Sequence, residues 1–106
     1  MAKRSHAIIL SPDAERDIDD IWDYLTTEAS IRVADKTVRA IARACRILEK
    51  HTFAGRPRDN LISGLRSVLL HPYVVFYRVS AADVQIVRVL HQRRDLEAIF
   101  TDETDR

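Results

Sequence analysis

The stretch Gly64-Leu-Arg-Ser-Val-Leu-Leu-His-Pro-Tyr-Val-Val-Phe-Tyr-Arg-Val-Ser-Ala-Ala-Asp-Val-Gln-Ile-Val-Arg-Val-Leu90 decides the fold. It holds three runs, Gly64 to Leu70, Tyr73 to Val79 and Val84 to Leu90, separated only by His71-Pro72 and by residues 80–83. β-Branched and aromatic residues between such short connections predict consecutive antiparallel strands joined as hairpins. Pairing Val79 with Val84 aligns Tyr73 with Leu90 and sorts the side chains into two faces. One face carries Val74, Phe76, Val87 and Val89, with Arg78, Gln85 and His91 towards its ends. The other carries Tyr73, Val75, Tyr77, Val79, Ile86 and Leu90, with Arg88. Both are apolar in the middle, whereas a sheet with one wet side alternates apolar with polar. Leaving four such side chains in water forgoes roughly 1.5–3 kcal/mol each. Either a partner docks on the second face or the chain's own C-terminal segment covers it.

Upstream the period changes from two to that of a helix. His6 to Leu10 reads as a first strand, and Ser11-Pro12-Asp13 reads as a helix start with an N-cap, a proline at the first turn and a favourable acid. Ala14, Ile18, Ile21, Trp22 and Leu25 form one apolar stripe, and Asp17, Asp20 and Asp23 read as an acidic face. A second helix is predicted from about Ile31 to about His51, with a core stripe of Ala34, Val38, Ile41, Cys45 and Leu48. Beside it runs a basic stripe of Arg32, Lys36, Arg39, Arg43, Arg46 and Lys50. Two such helices make a hairpin whose acidic and basic faces could pair with each other. Gly55-Arg-Pro-Arg-Asp59 breaks the helix. After the strands, residues 95–100 read as a helical turn and residues 101–106 as a frayed tail. The expected fold class is α+β, a helical hairpin packed on an antiparallel sheet in the order β-α-α-β-β-β, with one domain over residues 1–106.

Composition limits the function classes. With 106 residues there is one domain, and 46% hydrophobic and 31% charged residues argue against disorder. No apolar run approaches the ~18–20 residues of a membrane span, and no signal-peptide core follows the basic start. The expectation is a soluble cytoplasmic protein. Residues 1–30 carry 7 acids and 3 bases, residues 31–94 carry 13 bases and 4 acids, and residues 95–106 carry 5 acids and 1 base, for a net charge of +1. Most of the bases are arginine, 14 against 3 lysines. An Arg-rich middle suits an anionic partner or intramolecular pairing with the acidic ends.

Little in the chain assembles a reaction. Four scattered histidines and the lone Cys45 offer no metal-ligand spacing, so no metal or cofactor is expected. Two distant glycines cannot form a phosphate-cradling loop. The one enzymatic reading is RNA cleavage, for which Arg66, Tyr73, Tyr77, Arg78 and His91 are the available residue types.

Several stretches carry a resemblance: Leu10-Ser-Pro-Asp-Ala-Glu-Arg-Asp17 with Ile21-Trp22, Gly55-Arg-Pro57, Gly64-Leu-Arg66, Tyr73-Val-Val-Phe-Tyr-Arg-Val79 and Val87-Arg-Val-Leu-His-Gln-Arg-Arg94. The chain resembles the ParE toxins of the ParE/RelE superfamily of type II toxin–antitoxin modules. The resemblance implies the same fold, a ParD-like antitoxin partner and a role as inhibitor of DNA gyrase. The alternative is a RelE-like ribosome-dependent messenger-RNA endonuclease. In that branch an arginine and a tyrosine act where this chain has Val74 and Phe100, so no enzyme activity is expected. Antitoxin contacts are expected at Val74, Phe76, Arg78, Val87 and Val89, and target contacts at Arg66, His91, Arg93 and Arg94. Direct nucleic-acid binding is not expected.

Overall fold

The Ser11 hydroxyl accepts the Ala14 N–H at 3.0 Å and donates to the Val87 carbonyl at 2.8 Å, so one side chain both caps a helix and ties it to a strand. A computed structural model describes residues 5–104. It begins with β1 (Ala7–Leu10), α1 (Pro12–Glu28) and α2 (Ile31–Ile47), the second helix capped by Ser30. The chain continues with β2 (Arg56–Pro57), β3 (Leu65–Leu70), β4 (Tyr73–Val79), β5 (Asp83–His91) and α3 (Leu96–Thr104). The expected α+β fold is thus present, with two elements added. β2 is a two-residue strand in the segment read as a break, and the C-terminal turn is a helix that takes in Thr101–Thr104 of the expected frayed tail. Residues 105–106 lie outside the described residues.

The five strands lie in the order β1-β5-β4-β3-β2. All neighbours are antiparallel except β1, which runs parallel to β5 after the crossover through the helical hairpin. At the turn into β3, Gly64 adopts φ +81, a conformation favouring glycine, and donates its N–H to Asp59 at 2.9 Å. The His71–Pro72 peptide between β3 and β4 is cis.

One register detail changes the sheet faces. Val79↔Val84 and Tyr77↔Ile86 pair as expected, but Phe76 is opposite Arg88, so a bulge leaves Val87 as the extra residue. Every later pair slips by one, and Tyr73 meets His91 rather than Leu90. Val89 therefore belongs to the helix-side core, 1% exposed, with Val75, Tyr77, Ile86, Ile41 and Cys45. Leu90 takes its place on the second face, packed with Leu65, Val74, Phe76 and Phe100.

That second face is covered. Leu96, Ile99 and Phe100 of α3, with Leu61 and Ile62, pack over it, and the Phe100 ring meets Phe76 edge-on at 4.9 Å. Of the two coverings open at the sequence level, the chain's own C-terminal segment is the one present.

The hairpin also departs from expectation. α1 carries seven acids and one base, and α2 carries five bases and one acid. Yet among the described residues no ion pair joins the two helices. The ion pairs among the described residues are Arg16–Asp13 within α1, Arg39–Asp35 within α2, and Arg88–Asp17 between β5 and α1. Both apolar stripes point towards the sheet, so the charged faces diverge into solvent.

Candidate functional site

Two knots of hydrogen bonds fix the molecule around its surfaces. In the first, the Tyr77 hydroxyl, projecting from β4, accepts the Gly55 N–H at 2.8 Å. Arg66, one strand over on β3, donates to the Gly55 carbonyl at 2.6 Å and to the Phe53 carbonyl at 3.3 Å, and its guanidinium lies 4.9 Å from the centre of the Phe53 ring. Burial pushes the Tyr77 hydroxyl above its usual pKa, with Gly55 and Arg66 opposing that shift. Arg66, expected at the target surface, is thus engaged in holding the loop between α2 and β2.

The second knot was missed at the sequence level. Arg88 grips Asp17 with two bonds of 2.8 Å, and the same carboxylate accepts the Val89 N–H at 2.9 Å. The helical spacing places Asp17 with Asp20 and Asp23 on an acidic solvent face, whereas in the structure it faces inward. Two signals pointed there. Asp17 is three residues after the buried Ala14 and four before the buried Ile21, so it shares their row. Arg88 is also a lone charge inside an apolar strand, and such a charge needs a partner.

The remaining predicted residues divide by exposure. Val74, Phe76 and Val89, expected as antitoxin contacts, are buried: Val74 and Phe76 beneath α3, and Val89 in the helix-side core. Val87 is half-buried against the second face, and Arg78 is exposed at its rim, donating to the Ser63 carbonyl at 3.4 Å. His91 ends β5, where its Nδ1 accepts the Arg93 N–H at 3.2 Å and its ring meets Tyr73 edge-on at 5.7 Å. Arg93 and Arg94 are exposed and join none of the ion pairs among the described residues. Asp95, next in the chain, caps α3 by accepting the Ala98 N–H at 3.2 Å.

These groups do not converge. Arg66 pairs across with Tyr77 and His91 with Tyr73. Four residues along β4 are ~13 Å, and the two residues sit on strands either side of it, so they are farther apart still. Arg78, opposite Leu65, belongs to the other face of the sheet from Arg66. Near His91 an apolar hollow of about 420 Å³ is lined by Asp20, Tyr24, Leu25, Pro72 and Tyr73. Burial raises the Tyr73 pKa, and the neighbouring Tyr24 adds to the shift. Among the described residues no group of three His, Cys, Asp or Glu could hold a metal ion. No helix among them is long and apolar enough to cross a membrane.

The model of the ParE toxin family of type II toxin–antitoxin systems matches residues 8–96. The chain belongs to that family. Toxin ParE1 of Caulobacter vibrioides is 36% identical over 89 residues, covering 84% of this chain and 92% of that one. Toxin ParE1 of Mycobacterium tuberculosis is 30% identical over 94 residues, covering 88% and 96%. The fold agrees as well. The solved chromosomal ParDE system of P. aeruginosa superposes with a TM-score of 0.73 at 25% identity, over 82% of this chain and 96% of that chain. The toxin–antitoxin complex RelBE2 of Mycobacterium tuberculosis gives 0.64 at 18% identity, over 85% and 94%, and so shares the fold. The ParE match takes in the Asp17–Arg88 clamp and the Tyr77–Gly55–Arg66 knot, but its end at residue 96 leaves out most of α3.

Proposed function

We propose that this toxin acts without catalysis, by binding and inhibiting DNA gyrase in the cytoplasm, and that a ParD-like antitoxin holds it inactive. One observation carries the non-enzymatic reading: Arg66, Arg78 and His91 are spread over two faces and more than one end of the sheet. Cleavage of RNA needs a base, an acid and cations around one phosphate. Val74 and Phe100, which stand where the resembling nucleases use an arginine and a tyrosine, are both buried in the second core. A domain without an assembled catalytic set acts by occupying a surface. Arg93 and Arg94, exposed beyond β5, are the proposed gyrase contact, since arginine is enriched at protein interfaces. The antitoxin partner is supported by the P. aeruginosa ParDE system, which shares family and fold. Its contact includes Arg78 and the exposed Leu69, which lie on the second face towards opposite ends of β3.

A supercoiling assay with purified gyrase tests the target. Inhibition is expected, and weakening by Arg93→Ala with Arg94→Ala supports the contact. Normal supercoiling without a trapped cleavage complex, at toxin well above gyrase, overturns the gyrase reading. Codon-phased cuts in translated message that vanish in His91→Ala would instead establish a ribonuclease.

A further inference from the structure

The basic stripe of α2 is left over once the fold is accounted for. Of its six cations only Arg39 joins an ion pair among the described residues, and that is with Asp35 one turn earlier. Arg32, Lys36, Arg43, Arg46 and Lys50 are exposed, and their side chains join none of the salt bridges among the described residues. At the C-terminal end of α2 this stripe meets apolar surface. Ile47 follows Arg43 by four residues and precedes Lys50 by three, so it sits between two cations on one helical row. It is 53% exposed, and Phe53, just beyond the helix, is 66% exposed. Two shallow hollows, of about 370 and 510 Å³, share Ile47, Lys50 and His51 and run from Arg43 and Arg46 to Phe53.

Phe53 is not a loose side chain on a loose loop. Arg66 stacks over its ring and holds its carbonyl, and the same guanidinium is bonded to Gly55. An exposed aromatic already fixed in place loses little entropy when a partner covers it. Large apolar anchors ringed by polar groups are the usual energetic centre of an interface.

We propose that the C-terminal end of α2 is a docking surface for an acidic, amphipathic helical segment of a partner protein. Its apolar side chains lie over Ile47 and Phe53, and its carboxylates, about one turn apart, meet Arg43, Arg46 and Lys50. Charge complementarity identifies the occupant, and the apolar centre separates it from a nucleic acid. Ile47 offers a base nothing to hydrogen-bond and no ring on which to stack. A duplex laid on α2 is also wider than the ~8–10 Å between packed helices, so its phosphates would overhang the carboxylates of α1. A single helix fits on α2 alone. This surface is separate from Arg93 and Arg94 and holds whether or not gyrase is the target.

Fluorescence anisotropy on the full chain tests it, with a short labelled helical peptide of glutamates bearing leucine on one face. Binding is expected, weakening with salt, and falling by about tenfold or more in Ile47→Ser with Phe53→Ser and in Arg43→Glu with Arg46→Glu. Arg16→Glu, a charge reversal on α1, should leave it unchanged. Circular dichroism keeps folding failures apart, and all four test positions are exposed. No binding, or binding that survives both double variants, overturns the proposal. Equal binding of polyglutamate without leucine removes the anchors and overturns it too. Duplex DNA that competes and loses affinity to the same charge reversals would make the stripe a nucleic-acid surface instead.

Discussion

Replacing Asp17 by Ala removes an acceptor that three donors share. The carboxylate takes two bonds of 2.8 Å from Arg88 and one of 2.9 Å from the Val89 N–H. The Arg88 and Asp17 side chains are 17% and 11% exposed. Hydrogen bonds to charged groups contribute about 1.5–3 kcal/mol each, but summing three overcounts, because the guanidinium recovers some water. Removing one member of a buried pair costs about 3–5 kcal/mol. The residual exposure of Arg88 places Asp17→Ala at the lower end, about 3 kcal/mol. A domain of this size has roughly 5–15 kcal/mol in all, and each kcal/mol shifts the melting temperature by about 4–8 °C. The expected drop is therefore about 12–24 °C. Urea unfolding followed by circular dichroism gives the free energy directly, and Asp17→Asn, which keeps one acceptor, should lose less. Arg88→Met combined with Asp17→Ala should cost clearly less than the two single losses added, because no uncompensated charge remains. A loss below about 1 kcal/mol in Asp17→Ala, or strict additivity in the double variant, would refute the clamp.

Gly55→Ala should lose about 1–3 kcal/mol by urea midpoint, because a Cβ there would lie 2.6 Å from the Tyr77 hydroxyl and 2.7 Å from the Ser67 carbonyl. Phe100→Ala deletes a fully buried ring and should cost about 3 kcal/mol locally, seen as faster amide exchange in α3 while the helix-side core keeps its protection. Uniform loss of protection across the sheet would show that α3 is not a separate layer. Burial pushes the Cys45 thiol up to about 11, so it should resist thiol reagents at neutral pH until the protein unfolds. Since this folded-state value lies above the unfolded one, its contribution is complete below about pH 9 and is lost as pH rises through about 11. That alkaline slope should be smaller in Cys45→Ala, the part that remains coming from Tyr73 and Tyr77, whose pKa values burial also raises.

Most of the architecture was legible because it rests on period and punctuation. Ser11-Pro12 and Ser30 cap the helices where capping chemistry puts them, and the three long strands begin and end within a residue or two of their apolar runs. What was not legible depends on single insertions. Nothing in Ile86-Val-Arg-Val-Leu90 marks Val87 as the extra residue, since every position in the run is compatible with a strand. The pairing of β2 with β3 involves only Arg56 and Pro57, too few residues to leave a period. α3 was underestimated because its apolar residues, Leu96, Ile99 and Phe100, are packed into a short segment whose partner face lies far away in sequence.

The bulge matters more for the surface than for the core. Without it Val89 would face outward and Leu90 inward. With it, Leu90 joins Phe76 and Val74 to make a platform that a helix bearing Leu96, Ile99 and Phe100 can cover. The apolar area that looked spare is thus largely used internally, and the most exposed large hydrophobic side chains among the described residues are Tyr24, Ile31, Ile47, Phe53 and Leu69. The charges follow the same geometry. Because both helices turn their stripes to the sheet, the acids of α1 and the bases of α2 end on diverging faces and do not neutralise each other by contact. A chain with a net charge of only +1 therefore presents one strongly acidic and one strongly basic flank. Long-range attraction will orient any charged partner before contact, with an acidic one drawn to α2 and a basic one to α1. Added salt should thus slow such association more than it speeds dissociation.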